Sequence, residues 1–143
     1  MPSSSPAVTE HHPRLHYNIL AMASESSSQS PGLSLQVTVF IAEENVPKFF
    51  EAFLPTYEKV TAEPECTFFE VYQSLENPGE LSWVENWSQS MEWLMEVQVK
   101  KEYYAPYLAV TEPMFVKPRV IKVVKRVGAP YITVKKENGG LRH

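Results

Sequence analysis

From residue 33 onward apolar and polar positions alternate: Leu33, Leu35, Val37, Val39 and Ile41 are separated by Ser34, Gln36, Thr38 and Phe40. A period of two puts the first set on one face of a strand and leaves a mixed face opposite. Glu43, Glu44 and Asn45 then supply acidic residues and a cap candidate, with Pro47 in the first turn. Val46, Phe49, Phe50, Phe53, Leu54, Tyr57 and Val60 follow at helical spacing, which predicts an amphipathic helix. Pro55 should kink or loosen its middle turn, and Glu63, Pro64 and Glu65 should end it. The aromatic and β-branched run from Cys66 to Ser74 predicts a second strand. Asn77, Pro78 and Gly79 form a turn signal, and Leu81 to Trp87 predicts a third strand closing a hairpin. Ser88 is the cap candidate for a second helix through Met91, Trp93, Leu94, Met95 and Val97. A further short helical or irregular piece carries Tyr103, Tyr104, Tyr107 and Leu108, interrupted at Pro106. Pro118 should close the next loop, with Arg119 to Val127 as a fourth strand and Tyr131 to Val134 as a short β-prone arm.

The order β-α-β-β-α-β is the split βαβ, ferredoxin-like arrangement: an α+β domain with a four-stranded antiparallel sheet and both helices on one face. Helices on one side leave the mixed face of the first strand uncovered, and that face also carries apolar residues. A second copy of the chain is the expected cover, so the sequence predicts a homodimer.

At 143 residues, the chain is the length of one domain. Residues 1–32 are rich in Ser, Pro and His and have no sustained hydrophobic period, so they are expected to form a disordered extension. Met22 offers an alternative start, which bears on whether residues 1–21 belong to the mature protein. His11, His12 and His16 lie in this extension, where nothing preorganises them for a metal. The domain is expected over 33–127, with 128–143 as a C-terminal arm or frayed tail. A net charge of −4 offers little to phosphate backbones, and the one basic cluster, from Lys117 to Lys136, is mixed with strand formers, so no nucleic-acid partner is expected. No apolar run approaches the roughly 20 residues that span a bilayer. The start lacks a signal-peptide core as well, so the expected location is cytoplasmic. Cys66 is the single cysteine; it reads as a small buried hydrophobe or as a reactive thiol.

Certain pieces of the chain resemble the antibiotic-biosynthesis monooxygenase family of dimeric α+β barrels. They are Val37 to Ile41 with Phe49, Phe50 and Phe53; the step Glu63, Pro64, Glu65, Cys66 leading into Phe68, Phe69, Glu70, Val71 and Tyr72; and Glu85, Asn86, Trp87. Tyr103, Tyr104, Pro106 and Tyr107 followed by Thr111, Glu112 and Pro113 are similar to the fungal version. The resemblance spans Leu33 to Arg126. It implies a dimeric barrel and enzymes that insert O₂ into electron-rich phenols, anthrones or naphthols without metal or flavin. It also admits decarboxylases, cyclases and isomerases on the same scaffold.

Trp87 occupies the family's recurrent tryptophan position and shares a strand face with Leu81, Trp83 and Glu85. Two indoles with a carboxylate between them suit a flat aromatic ligand; equally, both indoles are core and Glu85 a surface or dimer-contact carboxylate. Oxygenase members often carry an asparagine four residues before this tryptophan, where this chain has Trp83. Asn86 adjoins Trp87 with opposite parity, and Gln36 on the mixed face of the first strand is a substitute amide, with Phe40 beside it as a substrate contact. Tyr72, Tyr103 and Tyr104 are candidate proton donors or acceptors, or else packing residues. No histidine lies between Tyr17 and Arg142, so a base must come from Glu85, Glu96, Glu102 or a tyrosine. Arg119 is a candidate partner for an acidic substrate group or for a surface carboxylate. The expected catalytic set is thus Glu85, Trp87, Tyr72 and Tyr103, and the expected substrate-binding set is Gln36, Trp83, Asn86, Tyr104 and Phe40. No phosphate loop, metal-ligand spacing or Ser-His-Asp trio is present, so no metal and no cofactor are expected. The function expected is cofactor-independent monooxygenation of a small aromatic or polyketide-derived molecule in secondary metabolism. The alternatives are a non-redox tailoring enzyme or a non-catalytic dimeric binding protein.

Overall fold

The computed structural model describes residues 31–139. The expected N-terminal extension, its histidines and Met22 therefore lie outside the described residues, save for Pro31 and Gly32. Strand β1 (Leu33–Ile41) leads through a 3-10 turn into helix α1 (Val46–Ala62). Strands β2 (Cys66–Gln73) and β3 (Glu80–Trp87) form the hairpin. Helices α2 (Met91–Glu96) and α3 (Tyr104–Thr111) follow, with the 3-10 segment Gln98–Lys100 between them. Strand β4 (Phe115–Lys125) and the single helical turn α4 (Lys136–Gly139) complete the described chain. The sheet is antiparallel throughout, in the order β2-β3-β1-β4. This is the ferredoxin-like α+β topology expected from the hydrophobic pattern.

Prolines account for three differences from that pattern. Pro55 lies inside α1 without ending it; it sits on the exposed side, where water can serve the carbonyl left without its amide partner. Pro106 does not interrupt α3, because it stands in the first turn, where amide groups have no helical acceptor to lose. Pro118 lies within β4 rather than before it. The β1–β4 register slips between Thr38 and Phe40, so an edge-strand bulge absorbs the missing amide. Two caps also differ. Asn45 makes no side-chain cap bond at α1, and Ser90, not Ser88, caps α2 by accepting the Trp93 amide at 3.1 Å. Tyr131 to Val134 form no strand, and Tyr131 is 81% exposed. The polar end expected to fray contains the turn α4.

Cross-strand register assigns every strand residue to a face. Leu33, Leu35, Val37 and Val39 stand opposite Trp87, Glu85, Trp83 and Leu81, and all of these face the helices. Ser34, Gln36 and Thr38 stand opposite Asn86, Val84 and Ser82 on the other, open face. On the helix side the core falls into two clusters. One gathers Val37, Val39, Ile41, Phe49, Phe53, Leu81, Trp83 and Tyr107; the other gathers Leu33, Val60, Trp87, Met91 and Leu94. Leu35 and Phe69 pack against both clusters, and both stand directly opposite Glu85, on β1 and β2. The one carboxylate on the core face of the sheet therefore sits at the seam between two apolar clusters.

Candidate active site around Glu85

Alternation along β3 places Leu81, Trp83, Glu85 and Trp87 inside together, all buried. Such a strand demands partners for any polar atom it buries. Glu85 finds them in its own neighbours two residues away on either side: Trp83 Nε1 donates to Oε2 at 3.0 Å, and Trp87 Nε1 donates to Oε1 at 2.9 Å. Each carboxylate oxygen thus has one indole donor, and each indole has the partner its buried N–H requires. Burial lifts the Glu85 pKa from 4.5 to about 7, and the two indole bonds only partly oppose it. The group therefore changes charge near neutral pH inside an apolar seam, which is the range a general base needs.

Beside this seam lies a polar network contributed by helices and their connections. Gln98, buried in the 3-10 segment, donates from Nε2 to the Tyr103 hydroxyl at 2.8 Å and to the Tyr104 hydroxyl at 2.9 Å. The Tyr103 hydroxyl donates to Glu63 Oε2 at 2.8 Å, and Lys101 Nζ approaches the same oxygen at 3.1 Å. The Tyr103 hydroxyl and then Lys101 hold Glu63 below the usual carboxylate range despite partial desolvation. Desolvation raises Tyr103 to about 12; it raises Tyr104 and Tyr107 further, and the charge of Glu85 adds to both of these. All three phenols are therefore neutral donors at ordinary pH. The Cys66 thiol, pushed up to about 12 by burial and by the nearby Glu85 charge, stays protonated.

The expected site residues divide between the two faces of the sheet. Glu85, Trp83, Trp87, Tyr103 and Tyr104 come together on the helix side. Tyr72, Gln36, Asn86 and Phe40 do not join them. Tyr72 lies on the open face opposite Ser82, exposed and hydrogen-bonded to Glu70 at 3.3 Å. Gln36 donates to Ser34 Oγ at 3.3 Å on that same face. Asn86 stands there opposite Ser34, and Lys117 Nζ lies 4.5 Å from the centre of the Phe40 ring. Glu96 and Glu102 are exposed. Arg119 comes near Tyr107, whose phenol its charge favours in the ionised form. Among the described residues no group of three His, Cys, Asp or Glu side chains gathers as a metal site, and no helix is long and apolar enough to cross a membrane.

Two members of the network escape the sequence reading. Glu63 serves there as a helix-ending residue and as part of the family resemblance, without a place in the site, and Gln98 is not singled out. A signal for Gln98 exists: it follows Met91 by seven residues and Leu94 by four, both buried, so helical spacing puts it on the inner face.

No family model matches the chain. A protein of Pestalotiopsis microspora named "Putative monooxygenase" is 34% identical over 102 residues, 71% of this chain and 85% of the relative. Among solved structures, a "putative antibiotic biosynthesis monooxygenase" from Caulobacter crescentus superposes with a TM-score of 0.63 at 21% identity, covering 69% of this chain and 92% of that one. Another structure with that description, from Nitrosomonas europaea, gives 0.62 at 16% identity over 69% and 93% of the two chains. A conserved protein from Methanosarcina mazei gives 0.61 at 19% identity over 69% and 96%. These structures share the fold.

Proposed function

The chain belongs to the antibiotic-biosynthesis monooxygenase family, and on that premise we propose that it is a cofactor-independent monooxygenase of secondary metabolism. Its substrate in this reading is a small aromatic or polyketide-derived molecule with an acidic C–H or O–H group, and Glu85 is the base. The observation that carries it is the Glu85 carboxylate itself: buried, aligned by two indoles and titrating near neutral pH. Proton removal leaves a delocalised carbanion or phenolate. Its electrons pass to O₂, and a carbon–oxygen bond forms to give a hydroperoxide. Loss of water then turns a CH₂ group into a carbonyl. One oxygen atom ends in the product and the other in water, with both electron pairs supplied by the substrate. Trp83 and Trp87 orient the base and keep water from it, which strengthens its pull on the proton. In this reading 33–127 is the working unit, 1–32 an extension and 128–143 an arm. It acts as a cytoplasmic homodimer whose open sheet faces meet.

Purified protein should consume O₂ with an anthrone or a naphthol as probe, faster as pH rises through about 7 and Glu85 ionises. Glu85→Gln should lower that rate by about a hundredfold or more. In the source organism, loss of the gene should accumulate a compound one oxygen short of the normal product.

A second reading has an observation of its own. Trp83 stands where oxygenases of this type often have an asparagine, and the amides of Asn86 and Gln36 lie on the opposite sheet face from Glu85. That favours a decarboxylase, cyclase or isomerase using the same base. An accumulated isomer, or a compound with an extra carboxyl group, would establish this reading and end the first.

A further inference from the structure

The register of the sheet sets out its open face in transverse rows that cross all four strands. Phe68 stands opposite Asn86, Asn86 opposite Ser34, and Ser34 opposite Val124. The next row runs Glu70, Val84, Gln36, Lys122, and the one after it Tyr72, Ser82, Thr38, Val120. Each row begins on β2 at one edge of the sheet and ends on β4 at the other. In the two outer rows an aromatic ring stands at one end and a valine at the other. In the middle row the ends are a carboxylate and an ammonium.

Glu70 and Lys122 cannot satisfy one another within one chain. Three strand spacings, about 14 Å, separate β2 from β4, whereas an ion pair needs about 4 Å or less. Both residues are exposed, and among the described residues neither has an ion-pair partner. Glu70 accepts only the Tyr72 hydroxyl, at 3.3 Å. Phe68, Tyr72 and Val120 are exposed on the same face.

Two copies that meet by their open faces can share a twofold axis running along the strands or one running across them. Rotation about an axis along the strands leaves height unchanged, so each row meets the same row of the second copy in reverse. Strand β2 then lies over the other copy's β4. Glu70 faces Lys122, Phe68 faces Val124 and Tyr72 faces Val120, and each pairing occurs twice. Toward the axis Asn86 faces Ser34 and Ser82 faces Thr38, polar on polar. Val84 faces Gln36, whose amide is already engaged by Ser34 at 3.3 Å and whose methylenes are left to pack. An axis across the strands, at whatever height it crosses, lays β2 on β2 and β4 on β4. The two Glu70 side chains then share one edge and the two Lys122 side chains the other, and like charges are brought together. Sheets packed face to face lie about 10 Å apart, a gap that a lysine and a glutamate side chain close between them.

We propose that Glu70 and Lys122 form two reciprocal intersubunit ion pairs that set the twofold axis along the strands and make a second copy of this chain the fitting partner. The proposal rests on the open-face homodimer proposed above.

Charge exchange tests it, with dimer affinity read from light scattering over a dilution series and the fold checked by circular dichroism. Glu70→Lys places lysine over lysine and Lys122→Glu places glutamate over glutamate, so each should weaken the dimer by about tenfold or more. Mixed in equal amounts, the two weakened chains should recover the wild-type affinity, because every pair in the mixed dimer is again of opposite charge. The chain carrying both Glu70→Lys and Lys122→Glu should dimerise as the wild type does. It should nevertheless fail to co-purify with an affinity-tagged wild-type copy, since in that mixed dimer each pair is of like charge. This double variant carries the test if a single variant does not fold. Single variants that dimerise as tightly as the wild type, or a double variant that mixes freely with it, overturn the ion pairs and leave the dimer standing. A wild-type chain that is monomeric at micromolar concentration overturns both.

Discussion

Glu85 is where the sequence pattern and ordinary core chemistry disagree: a position that alternation assigns to the apolar face holds a carboxylate. Trp83 and Trp87 make this tolerable by giving one N–H to each oxygen, but they do not remove the desolvation cost, and the pKa stays near 7 against 4.5 for an unburied glutamate. Between those two values the native chain holds a proton that the unfolded chain has lost. Stability must therefore fall as pH rises through the window, by about 3 kcal/mol across it. None of the four histidines lies among the described residues, so no imidazole there titrates in the same range. Urea unfolding at about pH 5 and about pH 8 should show the native state weaker at the higher value. Glu85→Gln should flatten the difference, though one indole loses its acceptor because an amide nitrogen accepts nothing. A wild-type protein equally stable at both pH values would refute the buried titration. The Trp–Glu–Trp grouping was legible in the sequence because parity alone puts residues 83, 85 and 87 on one face. The Gln98–Tyr103–Glu63 line was not, since it joins three segments whose approach only the packing of α1 against the α2–α3 region decides.

At the scale of elements, periodicity placed the first three strands and the long helix within a residue or two, because each has many positions that vote together; the fourth strand begins at Phe115, four residues before the expected Arg119. Punctuation was harder to read. A proline breaks a helix or strand only where its missing amide would have had a partner, and Pro55, Pro106 and Pro118 each sit where that loss is small. The same holds for caps. Ser88 and Ser90 are both of the right type before α2, and the choice between them rests on which backbone is extended at the helix entrance. Ser90 has that conformation and receives the Trp93 amide, while the Ser88 amide is engaged by the Glu65 carbonyl. Ser90→Ala should therefore lower unfolding free energy by about 1 kcal/mol. Ser88→Ala should change it by less than about 0.5 kcal/mol. Equal losses in the two variants, read from urea midpoints at constant slope, would mean the cap assignment is wrong. The outcome also matters for the site, because α2 delivers the chain to Gln98.

On the scale of the molecule, the sheet separates two sets of residues that the sequence presents as neighbours. Its helix side holds the carboxylate, the indoles and the phenols. Its open side exposes Phe68, Tyr72 and Val120, with Phe40, Val84 and Val124 between them, a composition that water alone covers poorly. The edges argue about how a cover would arrive. Strand β4 is an edge, and along it stand Lys117, Pro118, Lys122 and Lys125 with a bulge in the register, all of which discourage edge-to-edge pairing. A second copy would then approach face to face, sheet against sheet, which is the dimeric arrangement proposed above. Val120 stands opposite Thr38 on the open face and is 51% exposed, so a charge there disturbs no residue of the monomer's core. Val120→Glu should leave the fold intact by circular dichroism and convert a dimer to a monomer in light scattering. If the dimer survives that charge, the open face is not its interface. If the wild-type chain is already a monomer at micromolar concentration, the apolar open face must be covered in some way other than by a second copy.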